Sequence, residues 1–176
     1  MNRLTWLLAR WLIWYRRRRV PPASLRGPVW YFAYGSNMNE RLFRERRHME
    51  WLEARVGRLH GYRLAFTVSG GMRPGLSAPA NIVAAPGSVV HGVLYLLPLN
   101  KFARLDNSEG RQYGYLWTKA EDSAGQRLPV VTYQVLHAAP EGRPGLGYLN
   151  LIREAARQRG LPKDYVDFLD RIEARK

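Results

Sequence analysis

VWYFAYGSNM, residues 29–38, starts as an apolar, aromatic run and stops abruptly at Gly35, Ser36 and Asn37. Val29 to Tyr34 is rich in β-branched and aromatic residues, which predicts a buried strand. Ser36 and Asn37 are residue types that cap helices, and Met38, Leu42, Phe43 and Met49 beyond them form a partial apolar stripe. The spacing predicts a helix from Asn37 to about Glu53. A strand running into Gly-Ser-Asn and then a helix leaves backbone N–H groups at the helix start, where anions are attracted. Two readings of the turn stay open on this ground, a capped helix start or a cradle for a carboxylate, phosphate or oxyanion. Ser36 lacks the second glycine of a nucleophile elbow.

Outward from this stretch the pattern is mixed. Strands are predicted over 57–68, 81–84, 89–97, 113–120 and 128–136, with a turn at Pro86-Gly87 and another at 123–126. A short helix is predicted over 98–108, with Phe102 and Leu105 inward and Gly110 as its stop. Two more helices follow, over 148–160 and 163–174, and residues 69–79 read as loop by composition. Many short strands, inserted helices and no regular βα alternation indicate a mixed α/β (α+β) fold, with a small, largely antiparallel β-barrel and flanking helices.

Composition narrows the function classes. The chain has 176 residues and no cysteine, which excludes disulfides, thiolate metal sites and cysteine nucleophiles. His48, His60, His91 and His137 show no metal-ligand spacing, so no metal is expected, and His91 reads as structural. The formal net charge is +14, and half of the excess comes from seven arginines before residue 27. Residues 1–27 therefore read as a basic arm, and 28–176 as the folded domain. The arm is amphipathic: Arg3, Arg10 and Arg17 share one face, and Leu4, Leu7, Leu8, Trp11, Leu12 and Tyr15 follow the spacing of an apolar face. It suits a helix lying on an anionic membrane surface through residues 1–19; a basic tail or packing helix and an export signal are the other readings. No apolar run is long enough to span a bilayer, and the lack of cysteine fits a reducing cytoplasm, so a cytoplasmic protein is expected, associated or not with a membrane surface. Nucleic acid is disfavoured as a partner, because the remaining basic residues form no aromatic-interleaved stripe. The oligomeric state is not legible.

LDNSEG, residues 105–110, is the second chemical candidate. Glu109 would stand at the negative end of the short helix, with Asp106 one turn back and Tyr113 and Tyr115 able to bury it. Each of these effects would raise a carboxyl pKa toward the range of general acid/base work, whereas a solvated acid beside a glycine stop would do nothing.

Taken together, these motifs resemble one family. YFAYGSNM (31–38), Asn81-Ile82 with Pro86-Gly87, VHGVLYLL (90–97), LDNSEG (105–110) and GYLNLIREAARQRGLPKDYVDFLDRIEA (147–174) are similar to the gamma-glutamylcyclotransferases, in order and spacing, over roughly residues 29–174. The resemblance implies a small β-barrel with flanking helices and a cofactor-free reaction on a small gamma-glutamyl substrate. The substrate's own α-amine attacks its side-chain carbonyl, forming 5-oxoproline and releasing an amino acid or amine. It implies Glu109 as the catalytic acid/base. It implies a substrate site from Tyr34, Gly35, Ser36 and Asn37, bordered by Tyr31 and Met38, with Tyr115 and Tyr148 in the pocket. The chain departs from the family pattern at Arg111, where valine is common, and at Leu116, where a second tyrosine is often found. The reading opposed to an enzyme is a non-catalytic domain held to a membrane or nucleic acid by its arm.

Overall fold

The structure, a computed structural model, describes residues 27–67, 79–110 and 112–175. The basic arm, most of the 69–79 stretch and Arg111 lie outside the described residues, and so do the expectations that fall on them.

Five strands close into a barrel in the order β1-β3-β2-β4-β5. They are β1 (Val29–Ala33), β2 (Glu53–Ala65), β3 (Asn81–Leu97), β4 (Tyr113–Asp122) and β5 (Arg127–Val135). All pairings are antiparallel except β1 with β5, which is parallel at Tyr31 and Val131. The helices are α1 (Leu99–Ser108), α2 (Leu146–Gln158) and α3 (Lys163–Arg171). The expected mixed barrel with flanking helices is therefore the observed architecture. Phe32, Leu94, Tyr95, Ile82 and Val131 are fully buried, and Phe102 and Leu105 of α1 face inward as predicted.

Two local expectations are corrected. No helix runs from Asn37 to Glu53. The chain makes a single 3₁₀ turn at Ser36–Met38 and a short π-type turn at Leu42–Arg46, and it is extended again from Glu53. The buried residues Met38, Phe43 and Met49 are spaced by five and six positions rather than three and four, so they suit wide turns better than an α-helical face. The ladder bonds confirm this: Arg47 N–H donates to the Leu42 carbonyl at 3.2 Å, and Met49 N–H to that of Phe43 at 3.1 Å.

Pro86-Gly87 is not a turn between two strands but a bulge inside β3. Opposite His60 stands Val89 and opposite Tyr62 stands Ala84, so residues 85–88 face Gly61 alone. Gly61 and Gly87 have positive φ, +80° and +82°, which only glycine adopts without strain. The bulge bends the long β2–β3 ribbon so that it can wrap the barrel.

The seams that close the barrel are short. β2 and β4 pair at two positions only, Gly57 with Asp122 and Arg58 with Glu121. Side chains reinforce that seam: Arg55 Nη1 donates to Asp122 Oδ2 at 2.8 Å, and Arg58 and His60 both meet Glu121. At the β1–β5 seam, Thr132 Oγ1 donates to the Phe32 carbonyl and Tyr34 Oη to the Tyr133 carbonyl, both at 2.7 Å.

Candidate active site

The site lies where β1 ends, because the turn after it faces the end of α1. Gly35 has no side chain, and the 3₁₀ turn that follows is closed by Met38 N–H on the Gly35 carbonyl and Asn39 N–H on that of Ser36, both at 3.0 Å. Neither Ser36 nor Asn37 caps it. The cap is Asn39, whose Oδ1 accepts the Leu42 N–H at 3.0 Å and so starts the π-type turn. A three-residue turn has little macrodipole. An anion here would be held by individual N–H groups rather than by a helix end.

Asn37 is buried and bridges two elements. Its Nδ2 donates to Tyr31 Oη at 2.9 Å and to Glu109 Oε1 at 3.0 Å. Glu109 follows the last turn of α1, and its N–H bonds back to the Asp106 carbonyl at 3.3 Å. Its side chain is only 11% exposed. Arg47 Nη1 reaches the same Glu109 oxygen at 3.1 Å and Ser108 Oγ at 2.7 Å. Both bonds to the carboxylate therefore fall on Oε1. No described residue bonds to Oε2.

These groups line a cavity of about 220 Å³, together with Tyr113, Tyr133 and Tyr148. At a liquid share of ~30 Å³ per water, that is room for roughly seven waters, the scale of an amino acid. Tyr148, from the first turn of α2, accepts the Ala80 N–H at 3.0 Å. Its hydroxyl stands 3.2 Å from where a Cβ at Gly35 would be. Burial pushes the phenols of Tyr31, Tyr34, Tyr113 and Tyr133 well above the ordinary range and raises that of Tyr148. The nearby Glu109 charge adds to the rise, except that the Asn37 hydrogen bond offsets part of it at Tyr31. All five are neutral hydroxyls at physiological pH. Among the described lining residues, Glu109 is then the one carboxylate and Arg47 the one cation.

Of the residues singled out from the sequence, Tyr31, Tyr34, Gly35, Ser36, Asn37, Glu109 and Tyr148 meet in this cavity. Met38 and Tyr115 do not line it. Met38 is fully buried in the core, with its carbonyl accepting from Tyr95 Oη at 3.3 Å. Tyr115 packs its ring against Phe102, Trp117 and Tyr133. The period of two along β4 explains this, since Tyr113 and Tyr115 share a face but Tyr113 alone sits at the strand end beside Glu109. The sequence reading missed Arg47 and Tyr133. Arg47 is 62 residues from its partner Glu109, and only the folded turn brings them together.

Two larger hollows, of about 620 and 590 Å³, lie elsewhere on the barrel. Their carboxylates are neutralised by neighbours: Glu141 by Arg63 and Glu173 by Arg143 in one, Glu121 by Arg58 and Asp122 by Arg55 in the other. Among the described residues no group of His, Asp and Glu is arranged to hold a metal ion, and no helix is long and apolar enough to cross a membrane.

The closed barrel with flanking helices agrees with the comparisons to known proteins. The model of the AIG2-like family matches residues 89–169. A human gamma-glutamylcyclotransferase is 31% identical over 153 residues, which cover 81% of this chain and 78% of that protein. Gamma-glutamyl cyclotransferase aclK of Aspergillus oryzae is 27% identical over 160 residues, 78% of this chain but only 59% of the fungal protein. A solved structure named gamma-glutamyl cyclotransferase superposes with a TM-score of 0.74 at 26% identity, over 85% of this chain and 90% of that one. The chain belongs to the gamma-glutamylcyclotransferase family.

Proposed function

We propose that this protein is a gamma-glutamylcyclotransferase that cleaves gamma-glutamyl amides by internal cyclisation, with Glu109 moving the protons. The observation that carries the reading is the Glu109 carboxylate. It lines a cavity of amino-acid size and is held on Oε1 by Asn37 and Arg47, while Oε2 has no bond to a described residue. No other described lining group accepts a proton at neutral pH.

The substrate's γ-carbonyl lies against the Gly35–Asn37 turn, whose N–H groups polarise it as charge develops on oxygen. Glu109 Oε2 takes a proton from the α-amine. The amine nitrogen attacks the γ-carbon, and the new C–N bond closes a five-membered ring. As the tetrahedral centre collapses, the bond to the leaving nitrogen breaks and Glu109 returns the proton to it. The products are 5-oxoproline and a free amine or amino acid, and the carboxylate is regenerated. The nucleophile is already tethered, so folding the substrate back supplies much of the acceleration. The neutral tyrosines orient and exclude water rather than exchange protons.

The test is to incubate the purified protein with gamma-glutamyl dipeptides and gamma-glutamyl amines and to quantify 5-oxoproline. Release from at least one member is expected; release from none would overturn the reading. The arm is assigned to an anionic membrane surface on its composition. Deleting residues 1–26 should abolish sedimentation with anionic vesicles, and unchanged sedimentation would reject that role.

A further inference from the structure

We propose that Arg47 binds the α-carboxylate of the gamma-glutamyl group and thereby restricts the enzyme to substrates that carry it. This deepens the cyclotransferase reading and rests on it.

Arg47 enters the site through the π-type turn. His48, just after it, has a φ of +52°, an uncommon conformation for a residue with a Cβ. The guanidinium uses only Nη1 on described residues, for Ser108 and Glu109. Nε and Nη2 make no bond to a described residue, although the side chain is three-quarters buried. A guanidinium fork beside a cavity, with two nitrogens unbonded to any described residue, matches the planar geometry of a carboxylate.

Substrate chemistry supplies the rest. Glu109 can accept the amine's proton only if the α-nitrogen sits on Oε2. The α-carboxylate hangs from the same carbon, with its own carbon about 2.5 Å from that nitrogen by bond geometry. A second anion is thus forced close to Glu109, and like charges at that separation oppose each other. Among the described lining residues Arg47 is the one cation that can lie between them. Asn37 Oδ1 completes the arrangement: it is buried and has no hydrogen-bond partner among the described residues. It is an acceptor for the amine's second N–H, on the side chain whose Nδ2 already holds Glu109. The two substituents of the α-carbon are then read by different side chains. A leaving-group carboxylate is a poorer match, because it lies across the scissile amide and is absent from gamma-glutamyl amines.

The experiment compares 5-oxoproline with its neutral carboxamide as ligands of wild type, Arg47→Ala and Arg47→Lys, with affinities taken from NMR titration. Cyclisation of a gamma-glutamyl amide that has no carboxylate on its leaving group is measured in parallel. Wild type should prefer the carboxylate by about 10- to 100-fold, the worth of a charge-assisted pair. Arg47→Ala should bind both alike, and Arg47→Lys should restore part of the preference. Arg47→Ala should also lose turnover of the amide, with circular dichroism and Tm showing a folded protein. A carboxylate preference that survives in Arg47→Ala, or no preference in wild type, overturns the assignment. So does a turnover loss confined to substrates with a leaving-group carboxylate. If wild type releases 5-oxoproline while the preference is unaffected by Arg47, the assignment fails and the reaction stands. If wild type releases none from any substrate, it is the reaction that fails.

Discussion

A Cβ added at Gly35 would stand 3.2 Å from the Tyr148 hydroxyl and 3.3 Å from the Ala80 methyl group. Both neighbours are fixed, because Tyr148 accepts the Ala80 N–H. Gly35→Ala should therefore push Tyr148 into the cavity. We expect about a 10-fold or larger loss of kcat/KM and a stability loss of ~1–2 kcal/mol, the usual range for overpacking, read from steady-state kinetics and thermal melts. Tyr148→Phe tests the same contact from the other side. It leaves the buried Ala80 N–H without its acceptor, and denaturant melts should show ~1–3 kcal/mol lost. At this scale the sequence was informative where chemistry is contiguous. Tyr34 to Asn37 and Glu109 stand in short motifs, and they meet in one cavity. It was silent on Arg47 and Tyr133, whose roles depend on partners far along the chain. Of the two readings it left open for Ser36 and Asn37, the cap fails, because residue type alone does not say which N–H an oxygen will meet.

Elements were legible where burial is periodic. The strands around the 123–126 turn and the three helices appear within a few residues of their predicted bounds. The failure between Asn37 and Glu53 has a physical cause. The polar residues there, Arg44, Glu45 and Arg46, are exposed as on a helix, but the buried ones recur too widely to make a helical face. The β1–β5 seam gives a prediction at this scale. Thr132 is fully buried and its hydroxyl donates to the Phe32 carbonyl across the parallel pairing. Thr132→Val keeps the shape and removes that bond. It should cost ~1 kcal/mol in urea unfolding without altering the KM for substrate, since Thr132 does not line the cavity.

Barrel closure is a property of the whole molecule and was legible only as a class. Which strands join depends on seams of one or two paired positions between segments some sixty residues apart or more, and side-chain pairs such as Arg55 with Asp122 reinforce them. Just outside the β2–β4 seam, His91 packs against the Tyr165 ring at 4.9 Å. Burial lowers its pKa below the ordinary 6.5, against the pull of Asp164, and Arg58 and His60 add to the lowering. Above pH 6.5 the histidine is neutral folded or unfolded, so its contribution is fully present. As pH falls through 6.5 the unfolded chain takes the proton first, and stability is lost. Thermal melts should show this decline as pH falls below about 6.5, and His91→Gln should flatten it. The central claim concerns the proton carrier. Its most direct measurement is 5-oxoproline release by Glu109→Gln beside wild type, on the best gamma-glutamyl substrate, with 5-oxoproline affinity measured for both. The account predicts a fall in kcat of roughly 10²- to 10⁴-fold, with ligand affinity changed far less. Turnover by Glu109→Gln at the wild-type rate would contradict it.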